Sequence, residues 1–528
     1  MTYKVLIADP ISDVGIQPLK EAKNINVKIA TNLTYNELLE EIEDTHALII
    51  RSQTEVTKEI IEKGKQLKVI GRAGVGVDNV DLETATDYGI VVVNAPNSNV
   101  NSAAEHTIAM LMSLARNIPQ ACYSLKDNEW NRSQYIGVEI RGKTLGIIGL
   151  GRIGTEVAFR AKGLKMNVIG YDPFFSEKKA ESIGIKLKSL DKVLQQSDFV
   201  TIHTPYMKDT HHLISNKQLD MMKNTAYLIN CARGGIVDEE ALYKSLTKKK
   251  IAGAALDVFE EEPPINNKLL TLDQVIVTPH LGGSTVEAQK SVAKVVSQDV
   301  VGLLSGRLAK HPVNIPSLPV EVLQKIQPYF ELGEKLGMFL SKIKSTVIDE
   351  VHVSYAGVLN DINTTPITRS VVKGLLLQHL GERINNINAI RLATKRDIEI
   401  HQHKSGASTN FANLIKVKIR ANDESFVVSG TLLSGLGPRL VQFDDYTIDI
   451  ELRGHILFIN HKDQPGAIGY VGTKLAEYGI NIATMQVARE KEGGDAIMFL
   501  RIDKQIPQYI LDEIEQIDDV YQAKLINV

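Results

Sequence analysis

Cysteine is nearly missing from this chain: Cys122 and Cys231 are the only two among 528 residues. A disulfide framework is thereby excluded as the main source of stability, and a reducing cytoplasm is the expected setting. Long apolar runs are missing too. The longest, Ile108–Ala115, falls well short of the ~20 residues that span a bilayer and reads as a buried helix. Val5–Ala8 is too short for a secretory apolar region and reads as a first strand. Neither sign of charge prevails: Lys and Arg number 60 and Asp and Glu 63, a formal net charge of −3. Such balance gives no general attraction to nucleic acid or to an anionic membrane, so any anion site must be local.

What is present is the composition of a globular protein, 43% hydrophobic and 23% charged. At ~100–200 residues per domain, the length predicts three or four domains. In the first hundred residues, short β-branched runs (Val5–Ala8, Ala47–Ile50, Lys68–Ile70, Ile90–Val93) alternate with helical patterns such as Tyr35–Asp44 and Thr57–Lys65. A helix over Asn101–Arg116 then leads into a longer series of strands: Thr144–Ile148, Asn167–Tyr171, Phe199–His203, Ala226–Asn230, Ala254–Asp257 and Val275–Thr278. Alternation of this kind predicts two doubly wound α/β domains with parallel sheets covered on both faces. The helical stretch Thr285–Ser305 has apolar spacing suited to packing back on the first domain.

Three prolines within 311–319 make a stiff connector. Beyond it, an α+β unit is expected, with strands Thr346–Tyr355, Leu414–Arg420 and Glu424–Ser429 around a helix at Ile367–Leu380. From Gly454 onward the order is strand His455–Asn460, helix Ala467–Tyr478, strand Ile482–Ala488, strand Ala496–Ile502, helix Gln508–Gln516 and strand Val520–Leu525. This βαββαβ order is ferredoxin-like. The expected division is therefore 1–98 with 285–314, then 99–284, 317–452 and 454–528.

Gly149-Leu150-Gly151-Arg152-Ile153-Gly154 follows a strand and opens a helix. The motif alone is weak, but in a strand–turn–helix–strand context it is a dinucleotide fingerprint. Gly149 permits the tight turn, Gly151 a close approach of backbone to pyrophosphate, and Gly154 the packing of helix on strand. Asp172 lies 18 residues after Gly154, at the end of the next strand. Its carboxylate suits the ribose hydroxyls and repels a 2′-phosphate, so NAD is expected over NADP.

Three further segments stand at strand ends: Asn230-Cys231-Ala232-Arg233-Gly234-Gly235, Asp257 to Pro263, and Thr278-Pro279-His280-Leu281-Gly282-Gly283. Their residue types and chain order closely resemble the D-2-hydroxyacid dehydrogenase family. The resemblance is very specific from Lys4 to Asn314, moderate in the C-terminal unit and weak between. It implies a catalytic set of Arg233, Glu262 and His280, and the chemistry agrees. Oxidising an alcohol to a ketone releases a proton, and imidazole, with an ordinary pKa near ~6.5, suits a base at neutral pH. A carboxylate on its other nitrogen fixes the tautomer and steadies the imidazolium. A guanidinium pairs with a substrate carboxylate in bidentate fashion. Taken singly, His280 also fits a helix-start cap, Glu262 a solvated acidic run and Arg233 a structural contact; their joint occurrence favours chemistry.

The resemblance also places Arg152, Ile153, Thr204, Cys231, Ala232, Asp257, Gly282 and Gly283 around the cofactor, with Asp257 on the nicotinamide carboxamide. His203, His211 and His212 are expected to be structural or surface residues, and no metal site is expected. For a phosphorylated substrate it puts Arg51 and Ser52 on the phosphate and backbone N–H groups near Val75 and Gly76 on the carboxylate. Arg132, in the loop carrying Trp130, is expected to reach a partner subunit's site in a dimer or tetramer. The implied reaction is oxidation of 3-phosphoglycerate, the first step towards serine, with reduction of 2-oxoglutarate as a possible side activity. A glyoxylate or hydroxypyruvate reductase is the nearest alternative, and a non-catalytic NAD-sensing regulator a more distant one. The loop at 460–469 resembles the ligand loop of ACT domains, which implies that His461, Asp463 and Asn481 bind a small amino acid, L-serine, between paired copies.

Overall fold

A computed structural model describes residues 2–316, 318–344, 347–406, 411–422 and 424–528, the side chains of 320 and 382 excepted. Met1, Ser317 and Thr346, at which two of the expected domains and one expected strand begin, lie outside the described residues. Four sheets organise the described residues.

The first sheet contains β1 (Tyr3–Ile7), β2 (Ile25–Ile29), β3 (Ala47–Ile50), β4 (Val69–Arg72) and β5 (Val91–Val93), in the order β2-β1-β3-β4-β5 and parallel throughout. Side chains alternate across the pleat, so a fully buried strand feeds two cores. Val5 and Ile7 face one core and Leu6 the other. The long helix Val286–Leu304 lays Val292, Val296, Val300 and Leu304 on the first of these cores. Their spacing of four residues keeps them on one helical stripe.

The second sheet comprises β6 (Thr144–Ile148), β7 (Asn167–Tyr171), β8 (Lys186–Leu187), β9 (Phe199–Ile202), β10 (Tyr227–Asn230), β11 (Gly253–Leu256) and β12 (Val275–Val277). Its order, β12-β11-β10-β9-β6-β7-β8, reverses direction between β6 and β9, the switch point of a Rossmann sheet. Helices Val100–Arg116 and Arg152–Gly163 cover one face.

The third sheet, β13 (Glu350–Gly357), β14 (Glu399–Lys404), β15 (Asn413–Ala421), β16 (Glu424–Leu433), β17 (Gly437–Phe443) and β18 (Tyr446–Glu451), packs one face under helices Pro328–Ile343 and Thr365–Leu380. The fourth, β19 (His455–Lys462), β20 (Ile482–Arg489), β21 (Asp495–Ile502) and β22 (Val520–Asn527), has the order β20-β21-β19-β22 of a ferredoxin-like unit. Phe458 and Phe499 from it stack among Phe339 and Phe443, so the last two units share one aromatic core.

The expected fold class is the observed one. Differences concern several strands and helices, most of them in the third unit. β2 was not expected, because an edge strand with mostly exposed or half-exposed residues carries no apolar run. The edge strands β14 and β18 were missed for the same reason at the third sheet, and the interior strand β17 was missed although Leu440, Val441 and Phe443 are buried in it. Helix Pro328–Ile343 was also missed, although Tyr329, Leu332, Leu336, Phe339, Leu340 and Ile343 give it a clear buried stripe.

Candidate active site

The carboxyl ends of the first two sheets face one another across a cleft of about 780 Å³. Ligands of parallel α/β sheets bind at this edge because strand ends and helix starts meet there. Of the residues singled out from sequence, Arg51, Ser52, Val75 and Gly76 line it from the first sheet. From the second come Ile153, Thr204, Cys231, Ala232, Arg233, Asp257, Glu262, His280, Gly282 and Gly283.

His280 and Glu262 are joined: Nδ1 lies 2.8 Å from Oε2. His280 follows β12 in a left-handed conformation, φ 53°, which turns its ring out of the strand direction. Glu262 is held from behind by the Phe259 N–H, which donates to Oε1 at 3.1 Å. Burial opposes its ionisation, but the hydrogen bond and positive charge offered by His280 prevail and keep the carboxyl below the ordinary glutamate range. The pair leaves the other ring nitrogen, Nε2, for a substrate proton.

Asp257 is almost fully buried and braces this loop. Its carboxylate accepts from the N–H groups of Leu281 (2.7 Å) and Gly282 (2.8 Å) and from the Thr278 hydroxyl (2.6 Å). Burial again opposes ionisation, and His106 with these donors holds the pKa down. His106, 3.1 Å from Asp257, was not anticipated; it sits mid-helix in Val100–Arg116, where no motif marks it.

Arg233 reaches across the cleft, its Nε donating to Asp78 Oδ2 at 2.9 Å. Its loop is set by Asn230, which donates to the Arg233 carbonyl and accepts from the Ala232 N–H. The strand end 72–79 was expected to face the cleft, but no role was given to the side chains of Asp78 or Arg72. Arg72 lines the cleft with a buried Nε lacking a hydrogen-bond partner. Burial, aided by the charge of Arg233, lowers its pKa to about 10. A buried guanidinium nitrogen without a partner is suited to an anionic ligand. The signal was the position of Arg72 at the end of β4, on the carboxyl edge of a parallel sheet. Asp9 accepts from the N–H groups of Gln53 and Thr54 and so shapes the loop bearing Arg51 and Ser52.

The fingerprint turn adjoins the cleft. Gly149 has φ 93°, a region closed to most side chains. A Cβ on Gly154 would fall 2.0 Å from the Gly149 carbonyl, so helix and turn touch there. A Cβ on Gly151 would meet nothing within 4 Å, and no side chain caps helix Arg152–Gly163. The free N–H groups of that helix start therefore face open space, as a pyrophosphate requires. Asp172 accepts from the Leu150 N–H at 2.8 Å, and Arg152 donates to the Pro96 carbonyl at 3.2 Å. These residues fit a dinucleotide.

Cys231 is buried, and burial with the nearby Asp257 charge pushes its thiol up to about 12, so it is no nucleophile. Burial lowers His203 to about 3, which suits a neutral structural histidine. His212 pairs with Glu260 at 2.9 Å and stacks on His211.

Residues 108–282 match the family described as D-isomer specific 2-hydroxyacid dehydrogenase, NAD binding domain. Residues 325–444 match the D-3-phosphoglycerate dehydrogenase intervening domain, and 455–519 the ACT domain. The D-3-phosphoglycerate dehydrogenase of Methanocaldococcus jannaschii is 44% identical over 526 residues, 99% of this chain and 100% of that one. That of Bacillus subtilis is 41% identical over 100% of both. The chain belongs to the D-3-phosphoglycerate dehydrogenase family. Among solved structures, D-lactate dehydrogenase from Aquifex aeolicus, complexed with NAD and lactic acid, is 29% identical with a TM-score of 0.54. The match covers 60% of this chain and 100% of that one. This family member is an NAD-dependent oxidoreductase.

Other expected residues lie outside the cleft. Arg132 is exposed in a short 3-10 turn, Arg132–Tyr135, and Trp130 is 75% exposed. Within one chain His461, Asp463 and Asn481 form no joint site. His461 is buried, with Nε2 unpartnered. Asp463 accepts from Arg489 (2.7 Å) and the Gly493 N–H (3.1 Å), and Asn481 donates to Asp503 (2.8 Å). Among the described residues no helix is long and apolar enough to cross a membrane.

Proposed function

We propose that this dehydrogenase oxidises 3-phospho-D-glycerate to 3-phosphohydroxypyruvate in the cytoplasm, the first committed step towards L-serine. The observation that carries this reading is the convergence of the joined His280–Glu262 pair and three cleft arginines, Arg51, Arg72 and Arg233, on one space. An acid–base pair suits any 2-hydroxy acid; three cations suit one that carries both carboxylate and phosphate.

Bound NAD+ supplies the hydride acceptor. The chain's own groups do the rest. Arg233, with the backbone N–H groups of Val75 and Gly76, holds the carboxylate. Arg51, Ser52 and Arg72 take the phosphate, and Arg132 of a neighbouring copy completes that anion site in a homo-oligomer. His280 Nε2 accepts the hydroxyl proton as the C2 hydride leaves. Glu262 steadies the resulting imidazolium through Nδ1. Asp172 favours NAD over NADP. The division into 1–98 with 285–314, 99–284, 317–452 and 454–528 is part of this proposal, as is L-serine binding at His461, Asp463 and Asn481 between two C-terminal units.

The test is NADH formation followed by absorbance with 3-phosphoglycerate, beside a His280→Ala variant. Turnover by the wild type, lost by at least a thousandfold in the variant, is expected. No NADH with 3-phosphoglycerate but turnover of an unphosphorylated D-2-hydroxy acid would reassign the substrate. Inhibition by added L-serine, with heat released on binding, is expected in the same preparation; absence of both would remove the effector.

A further inference from the structure

Outside the cleft, the edge of the third sheet carries a cluster that the dehydrogenase reaction leaves unused. Glu350, His352 and His401 each present a ligand atom, and these atoms lie within 4.8 Å of one another. The strand register explains the cluster. β13 and β14 run parallel with Glu350 opposite Glu399 and His352 opposite His401. On β13, Val351, Val353 and Tyr355 are buried under the helices, so Glu350 and His352 point to the outer face. Imidazole rings stack across the pair: His352 lies 4.6 Å from His401 and 5.5 Å from His403, centroid to centroid.

We propose that Glu350, His352 and His401 bind a divalent transition-metal ion of the zinc class, which clips edge strand β14 to β13. Two imidazoles and one carboxylate are the donor set such ions take, leaving a position for water. His352 Nε2 already sits 2.9 Å from Glu350 Oε2, sharing a proton that the ion replaces. Donors of a tetrahedral zinc ion, at ~2.0–2.1 Å, stand roughly 3.3 Å apart. Closing the cluster from within 4.8 Å to that spacing requires the stacked imidazoles to rotate. Outer partners orient the ligands. His403 Nε2 lies 3.3 Å from His352 Nδ1, Glu399 Oε2 lies 3.3 Å from His401 Nε2, and Arg420 pairs with the second oxygen of Glu350. Such support is what fixes tautomers at metal sites. Arg420 and Lys418, which stand opposite Glu350 and His352 on β15, add positive charge to the same face. They weaken the site, so micromolar rather than picomolar binding is expected.

Isothermal titration of the full chain with Zn2+ tests this. A Cys122→Ser background removes the exposed thiol as a rival ligand. One equivalent per chain is expected. His352→Ala and His401→Ala should each weaken it at least tenfold, and Glu350→Gln severalfold. Dehydrogenase activity measured without zinc should be unchanged in all three and reports correct folding. Co2+ should give visible absorption bands that the His352→Ala, His401→Ala double variant loses. The proposal is overturned if the wild type binds no zinc tighter than about 0.1 mM. It is overturned equally if the double variant keeps the equivalent.

Discussion

Replacing Glu262 with Gln isolates what the carboxylate does for His280. The pair is 2.8 Å apart, both side chains are partly exposed, and Glu262 carries negative charge at neutral pH. A hydrogen bond to a charged group contributes ~1.5–3 kcal/mol. Coulomb attraction at ~4 Å and an effective dielectric constant of ~20 is about 4 kcal/mol before solvent screening of so open a pair. The interaction reaches full strength only when the imidazole becomes cationic, that is, in the transition state, so its loss falls on kcat. A loss of about 2–4 kcal/mol corresponds to a fall in kcat of roughly 30- to 1000-fold, with KM for the hydroxy acid changed little. Steady-state NADH formation at saturating NAD measures both. Glu262→Gln with His280→Ala should be no slower than His280→Ala alone, because the carboxylate acts only through the ring. A Glu262→Gln enzyme within threefold of wild-type kcat, or one whose defect multiplies with His280→Ala, refutes the reasoning.

Arg51→Ala should raise KM for 3-phosphoglycerate by about a hundredfold, the loss of one charge-assisted anion contact, and leave an unphosphorylated 2-hydroxy acid nearly untouched; equal losses on both would remove Arg51 from phosphate recognition. Gly154→Ala places a Cβ 2.0 Å from the Gly149 carbonyl, so thermal unfolding should show a cost of about 1–3 kcal/mol together with weaker NAD binding; a neutral substitution would mean the turn is loose. Asp257 is held below the ordinary aspartate range in the folded state. Its contribution to stability is therefore full above the unfolded value of ~3.9 and is lost as pH falls through the lower folded value. Asp257→Asn should be less stable at pH 7, and its stability should fall less steeply than the wild type's below about pH 4, as followed by denaturant titration.

Much of this site could be read in one dimension. Strands Thr144–Ile148 and Asn167–Tyr171 have the bounds their composition predicts, because a strand buried on both faces must be a continuous apolar run. The glycine spacing at 149–154 and Asp172 are local demands of one turn and the next strand end. Edge strands were harder: β2 and β14 pair on one side only and keep polar side chains, so nothing in their composition separates them from loop.

Local backbone preference and apolar period act over ten or twenty residues, and within that range the order of elements, the fingerprint and the succession Arg233, Glu262, His280 were all decided. Which strand ends confront one another was not. Asp78 and Arg233 are 155 residues apart and meet only because two sheets close on one cleft. The same closure sets Arg233 beside Arg72, whose Nε is buried without a partner, while the pairing of β11 with β12 sets Asp257 beneath the His280 loop. Burial and charge at such points are sums over neighbours drawn from several elements, and those neighbours exist only after the chain has packed.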